Sequence, residues 1–187
     1  PPTLSSRHIV KCIRKGASGA VTKTITFDPS QRVQPKPRMH VETPRDALAG
    51  RFYSFYSVDL MSEYEPESWV AEIKRSRDEL GGEGVIIASI AGRTYEEWRK
   101  LALLMEGAGS DMLELNLSCP HTEEGELMGK GASYNPEIVA NIVKAVKDSS
   151  SIPIIGKLTP QGANPVLLAR TMVSSGIDAL VSTSRFQ

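Results

Sequence analysis

Short apolar runs alternate with amphipathic stretches along most of this chain, and that alternation constrains its fold more than any other feature. Helical periods over 67–80, 94–107, 136–147 and 164–175 precede apolar runs at 85–90, 112–118, 153–158 and 179–183. A helix over 6–15 and a strand over 19–25 begin the series. In that first helix Ile9, Val10 and Ile13 share a face, Ser5 or Ser6 is placed to cap the start, and Gly16 to end it. Helix then strand, repeated, predicts an α/β fold with a parallel sheet and right-handed crossovers. Glycine marks the stops in Lys15-Gly-Ala-Ser-Gly19, Glu106-Gly-Ala-Gly-Ser-Asp111 and Ser175-Gly-Ile-Asp178, where a helix must turn tightly into the next strand.

Two architectures satisfy this pattern, a doubly wound sheet and a closed (β/α)8 TIM barrel. A central strand of a doubly wound sheet is apolar on both faces. In Met112-Leu-Glu-Leu-Asn-Leu-Ser118, Leu113, Leu115 and Leu117 take one face, while Glu114, Asn116 and Ser118 take the other. Polar groups aimed into the upper lumen are the mark of a barrel, whose active sites sit at that end. The barrel is therefore expected, with residues 1–187 as a single domain. Five strands are seen against the eight a barrel needs, so the chain is expected to be part of a longer one.

Residues 28–66 interrupt the alternation with Pro29, Pro35, Pro37, Pro44, Phe52, Tyr53, Phe55 and Tyr56. An excursion of this length in a compact domain is usually functional. The 22 basic and 22 acidic residues balance, so no overall field draws nucleic acid or an anionic membrane. No apolar run is long enough for a membrane span and no signal-peptide core is visible, which makes a cytoplasmic chain the expectation. Two cysteines far apart, Cys12 and Cys119, argue against a disulfide scaffold, a bound metal or an iron–sulfur cluster.

Leu113-Glu-Leu-Asn-Leu-Ser-Cys-Pro-His121 is the most specific segment, a strand running straight into a Cys-Pro turn. With Val21-Thr-Lys-Thr24 and Gly156-Lys-Leu-Thr-Pro160, in that order and spacing, it resembles the dihydroorotate and dihydropyrimidine dehydrogenases, FMN-binding barrels. His121 brings it nearest the pyrimidine-reducing members. The three motifs span almost the whole chain. The resemblance implies hydride transfer at flavin N5, with Cys119 as general acid/base on the neighbouring carbon. A thiol is suited to that task once charge or burial adjusts it, and Pro120 fixes the turn that presents it. Thr22, Lys23, Asn116 and Lys157 are implied at the flavin, the lysines supporting electron density arriving at its N1/O2 side. Asn116 is also implied at the substrate. Residues 122–134, with three glycines directly after Cys119, suit a lid that excludes water. Cys12, on a helix beside Ile13, reads as structural.

The match departs at the substrate. Where the family has asparagines, this chain has Ser57 in Phe55-Tyr-Ser-Val-Asp-Leu-Met-Ser62, and an Asn-Thr pair is replaced by Ser184-Arg185. Serine does not offer the paired donor and acceptor that an amide gives a cyclic imide. Arg185 suits a carboxylate or phosphate instead. The expected substrate is thus a small molecule with a carbon–carbon bond next to a carbonyl, not necessarily a pyrimidine. No dinucleotide fingerprint is present, so electrons are expected through a separate subunit or domain. By analogy a homo-oligomer is implied. Two other readings stay open: a member that binds flavin but has lost catalysis, and a barrel enzyme without flavin.

Overall fold

In a computed structural model of the chain, residues 3–51, 54–123, 125–160 and 164–182 are described. Five strands, β1 (Gly19–Val21), β4 (Val85–Ile90), β5 (Met112–Asn116), β6 (Ile154–Lys157) and β7 (Ala179–Val181), form one parallel sheet in the order β1-β4-β5-β6-β7. A second sheet of two antiparallel strands, β2 (Met39–Val41) and β3 (Phe55–Ser57), lies in the excursion with the short helix α2 (Pro44–Leu48) between them. The crossover helices are α1 (Ser6–Arg14), α3 (Pro66–Leu80), α4 (Tyr95–Gly107), α6 (Pro136–Lys147) and α7 (Pro165–Ser174); α5 (Gly129–Ala132) is a single turn after β5. The large sheet curls into a half-barrel, bearing out the barrel over the doubly wound alternative.

The helices stand on its convex side, α1 against α3, α3 against α4, α4 against α6 and α6 against α7. Their inward faces show why the periods were legible. In α4, Trp98, Leu101, Ala102 and Met105 are buried, and in α6 Val139, Ile142, Val143 and Val146, each at a helical spacing. Against them lie Ile86, Ala88, Ile90, Leu113, Leu115 and Ile154, all with no exposed surface. Full burial of one such aliphatic side chain stabilises by roughly 1.5–3 kcal/mol. On the opposite face of the sheet, Val21, Ile87, Met112 and Ile155 are half-buried.

The helix starts follow local rules. Thr94 Oγ1 accepts the Glu97 amide and Asn164 Oδ1 the Val166 amide, while α3, α6 and α7 begin with proline. Ser5 occupies the cap position of α1, but its hydroxyl meets His8 Nδ1 at 3.0 Å and caps no amide. The expected strand 19–25 is also interrupted, for a reason given below. No helix among the described residues is long and apolar enough to cross a membrane.

The stop motifs hold more than glycine. Gly16, Gly109 and Gly176 do take positive φ, at 97°, 100° and 97°. Two of the three motifs end in an aspartate that ties its strand to the one before. Asp111 Oδ2 accepts the Ile86 amide at 2.7 Å and pairs with Arg77. Asp178 Oδ2 accepts the Ile154 amide at 2.8 Å and pairs with Lys147 at 2.6 Å. The Lys147 ammonium, with the Ile154 amide, holds the Asp178 carboxyl below its ordinary value. A carboxyl depressed in the folded state adds stability above its unfolded value, near pH 4, and loses it as pH falls toward the folded value. Asp178→Asn is therefore expected to lower stability at neutral pH by about 1 kcal/mol and to flatten the acid limb of the stability curve. Urea unfolding at a series of pH values measures both; an unchanged acid limb would refute this role for Asp178.

Candidate active site

The site begins with a fault in β1. The Thr22 amide donates to the Ile87 carbonyl at 2.9 Å, but the next amide to reach β4 is that of Ile25, on the Ser89 carbonyl at 2.8 Å. Three steps along one strand match two along the other, so one residue is extra and the strand bulges at Lys23-Thr24. Ile25 then rejoins beside Ile90. Thr22 Oγ1 takes the Ser89 amide at 3.0 Å, filling the interrupted ladder.

The bulge brings Thr24 into a line of buried polar groups. Thr24 Oγ1 lies 3.0 Å from Ser89 Oγ and accepts from Asn116 Nδ2 at 2.8 Å. Asn116 Oδ1 in turn accepts the Ser118 hydroxyl at 2.8 Å. On the other side, Ser89 Oγ donates to Glu114 Oε1 at 2.8 Å, and Lys157 Nζ approaches the same oxygen at 3.5 Å. Register explains the grouping: Ser89 stands beside Glu114, and Asn116 beside Lys157, on neighbouring strands. Lys23 instead pairs with Asp59, two residues past β3. Both lysines thus have a carboxylate in the chain itself, which the sequence reading left to the flavin.

Cys119 follows β5 directly and is 7% exposed. Its carbonyl accepts the Lys130 amide at 2.8 Å and the Thr122 hydroxyl at 3.1 Å; the same hydroxyl oxygen takes the Gly131 amide at 2.8 Å. Ser133 Oγ donates to the Leu117 carbonyl at 2.6 Å, so that hydroxyl is anchored to β5's end. The stretch expected as a mobile lid is tied at several points. Gly129 has a φ of 52°, and a Cβ there would stand 2.7 Å from the Cys119 carbonyl oxygen and 2.9 Å from its Cβ. Only glycine fits.

Arg93, after β4, joins two loops over this turn. Its Nε meets Asp28 at 2.5 Å and its Nη1 meets Glu126 at 3.5 Å. Trp98 Nε1 donates to the Leu127 carbonyl, and Gln31 Nε2 to the His121 carbonyl. Burial pushes the Asp28 carboxyl up, but the Arg93 guanidinium and the Ser30 hydroxyl and amide outweigh it and hold it below its ordinary value.

Of the sequence-predicted residues, Asn116, Lys157 and Thr22 converge on the strand ends, with Cys119 immediately beyond β5 and Lys23 in the bulge. Ser57 lies on β3 of the excursion, two residues before the partner of Lys23. Ser184 and Arg185 lie outside the described residues. Sequence reasoning missed Thr24, Asp59, Ser89 and Arg93. Polar residues inside otherwise apolar runs, Ser89 in Val-Ile-Ile-Ala-Ser-Ile above all, were the signal available. Gly129→Ala is expected to loosen the Cys119 turn. A thiol reagent then labels buried Cys119 at least about tenfold faster, while exposed Cys12 keeps its rate. Equal Cys119 rates in both proteins would show that Gly129 does not hold the turn.

Comparison with known proteins identifies the family. The family model described as dihydroorotate dehydrogenase matches residues 5–185. The NAD-dependent dihydropyrimidine dehydrogenase subunit PreA of Escherichia coli is 30% identical over 97% of this chain and 44% of its own length. The catalytic subunits of dihydroorotate dehydrogenase B (NAD(+)) of Methanocaldococcus jannaschii and Methanothermobacter thermautotrophicus are 34% and 32% identical, over 92% and 89% of this chain and 53% and 50% of theirs. The chain spans about half the length of these relatives. With the family model matching residues 5–185 and relatives at 30–34% identity over most of its length, the chain belongs to the dihydroorotate dehydrogenase family.

Proposed function

We propose that residues 1–187 are part of a single FMN-binding barrel domain of an oxidoreductase that acts on a carbon–carbon bond next to a carbonyl. One observation carries the reading: two lysines, a buried asparagine and the Cys119 turn are gathered at the C-terminal ends of adjacent parallel strands. Barrels of this kind keep their chemistry at that end.

The residues present fit a flavin ring. Lys23 and Lys157 offer cations, and Asn116 and Thr22 polar contacts along a ring edge. Below them Val21, Ile87, Met112 and Ile155 form a half-buried apolar wall. Bound FMN would supply the hydride acceptor or donor. The chain supplies the rest. The Cys119 thiol moves the proton at the substrate carbon, and its carbonyl, held by Lys130 and Thr122, fixes where that thiol stands. Asn116, locked between Thr24 and Ser118, orients the substrate. The tied segment beyond Cys119 limits water at the reacting carbon.

The three relatives are named as NAD-dependent or NAD(+) enzymes and as subunits. This supports electron delivery by a separate subunit or domain. The further proposal, a cytoplasmic homo-oligomer, rests on the sequence and on analogy with barrels of this kind. Ser57, Ser184 and Arg185 depart from the family's amide pattern, so the small-molecule substrate, of the dihydropyrimidine or dihydroorotate type, is held through a different set of side chains, with a non-pyrimidine substrate as the alternative.

The test is an anaerobic titration of the full-length protein with dihydrouracil, dihydrothymine and dihydroorotate, followed in the flavin's visible band. A yellow protein that bleaches with one of them, and a Cys119→Ala variant that keeps its flavin but bleaches about 10²–10⁴-fold more slowly, are expected. A colourless protein that takes up no FMN would sink the reading. Bound flavin that no carbonyl-conjugated substrate bleaches or reoxidises would leave a flavin-binding member without catalysis.

A further inference from the structure

We propose that Glu114 is a positioning residue that holds Lys157 and sets the charge felt by the redox group, and this rests on the flavin reading above. Glu114 is 4% exposed and fixed. Ser89, with no exposed surface, donates to it at 2.8 Å and is itself held against Thr24, which holds Asn116. Lys157 is the movable member of the pair. Its side chain is 17% exposed on a flexible stem, and its Nζ contact with Glu114, at 3.5 Å, is an ion pair and not a full hydrogen bond. An ammonium has three donors, so this one turns to a second acceptor without leaving Glu114.

The pair is not sealed in the core. Glu114 and Lys157 line a cavity of about 340 Å³ that Thr3 and Val21 also border and that runs along β1 to its N-terminal end, at Cys12, Ala17, Gly19 and Ala20. A buried carboxylate–lysine pair is a poor source of stability, because an apolar pair of equal volume does as well, whereas losing one partner strands a buried charge. Its consequence here is electrostatic. With Glu114 in place, the positive charge that Lys157 presents to the site is partly offset. Without it, the full charge favours the reduced, electron-rich form of a bound flavin.

The inference is tested in full-length protein by spectroelectrochemical titration of bound FMN in the wild type, Glu114→Gln, Lys157→Met and the double variant, with thermal unfolding of each apoprotein alongside. Glu114→Gln is expected to raise the midpoint potential by a tenfold change in the binding ratio of reduced to oxidised flavin, about 30 mV for a two-electron couple. Lys157→Met is expected to lower it. In the double variant the effect of Glu114→Gln is expected to shrink to the part that comes from the carboxylate's own charge, since there is no lysine left to release. For the apoproteins, Glu114→Gln lowers Tm and the double variant recovers most of that loss. A lower Tm with an unchanged potential would make Glu114 structural only and overturn the proposal. So would an equal shift with and without Lys157. If Glu114→Gln does not fold, Ser89→Ala, which leaves the carboxylate to Lys157 and tightens their pairing, tests the same coupling with a smaller shift expected in the opposite direction, and no shift would overturn it. A wild-type protein that binds no FMN defeats the flavin reading itself, a result distinct from either outcome in the variants.

Discussion

Parallel strands in one sheet require a crossover between each pair, and each crossover here is a helix laid on the convex side. Most of the remaining architecture follows from that requirement. The covered face must be apolar, and Ile86, Ile90, Leu113, Leu115 and Ile154 fill it completely. Side chains alternate along a strand, so every polar residue within β4, β5 and β6 is directed to the opposite, concave face. Curvature then brings those polar residues within hydrogen-bond distance of one another. Ser89, Glu114 and Lys157 form a chain of contacts, which Thr24 extends to Asn116, because neighbouring strands run in register, not because they are near in sequence.

The connections at the C-terminal ends complete the site. One extra residue in β1 draws Thr24 into the polar line and leaves the lysine before it to Asp59. Beyond β5, the Cys119 turn is braced from below by its own strand and from the side by Thr122, Lys130 and Gly131. Arg93 links the loop after β1 to the loop after β5. These contacts fix the position of the Cys119 turn relative to the strand ends, as the proton-transfer role proposed for Cys119 requires.

Electrostatics gives the site its second character. Two lysines drawn into a half-buried space would be unfavourable alone, and each has a carboxylate from another element. Lys23 takes Asp59 from the excursion, which ties an otherwise peripheral hairpin to the strand ends. Lys157 takes Glu114 from the neighbouring strand. The excursion is therefore part of the site's support.

The order of helices and strands, the convex core and the Cys-Pro turn were legible in the sequence because each is set by residues close together along the chain. Periodicity located α3, α4, α6 and α7 within a residue or so of their ends, since burial of one face fixes which residues are apolar. Glu114 and Asn116 were recognisable as facing away from Leu113 and Leu115 by alternation alone. Their partners were not. The bulge at Lys23-Thr24 is visible only when β1 is laid against β4, because a strand carries no local mark of the residue its neighbour omits. In the stop motifs only the glycines were legible; that Asp111 and Asp178 accept amides from the preceding strands is seen only in the fold. The pairings of Lys23 with Asp59 and Lys157 with Glu114 join residues 36 and 43 positions apart. Sequence determined which side chains are polar and which face of a strand they take; only the curled sheet decided which of them meet, because contact between strands depends on register and curvature that no single segment encodes.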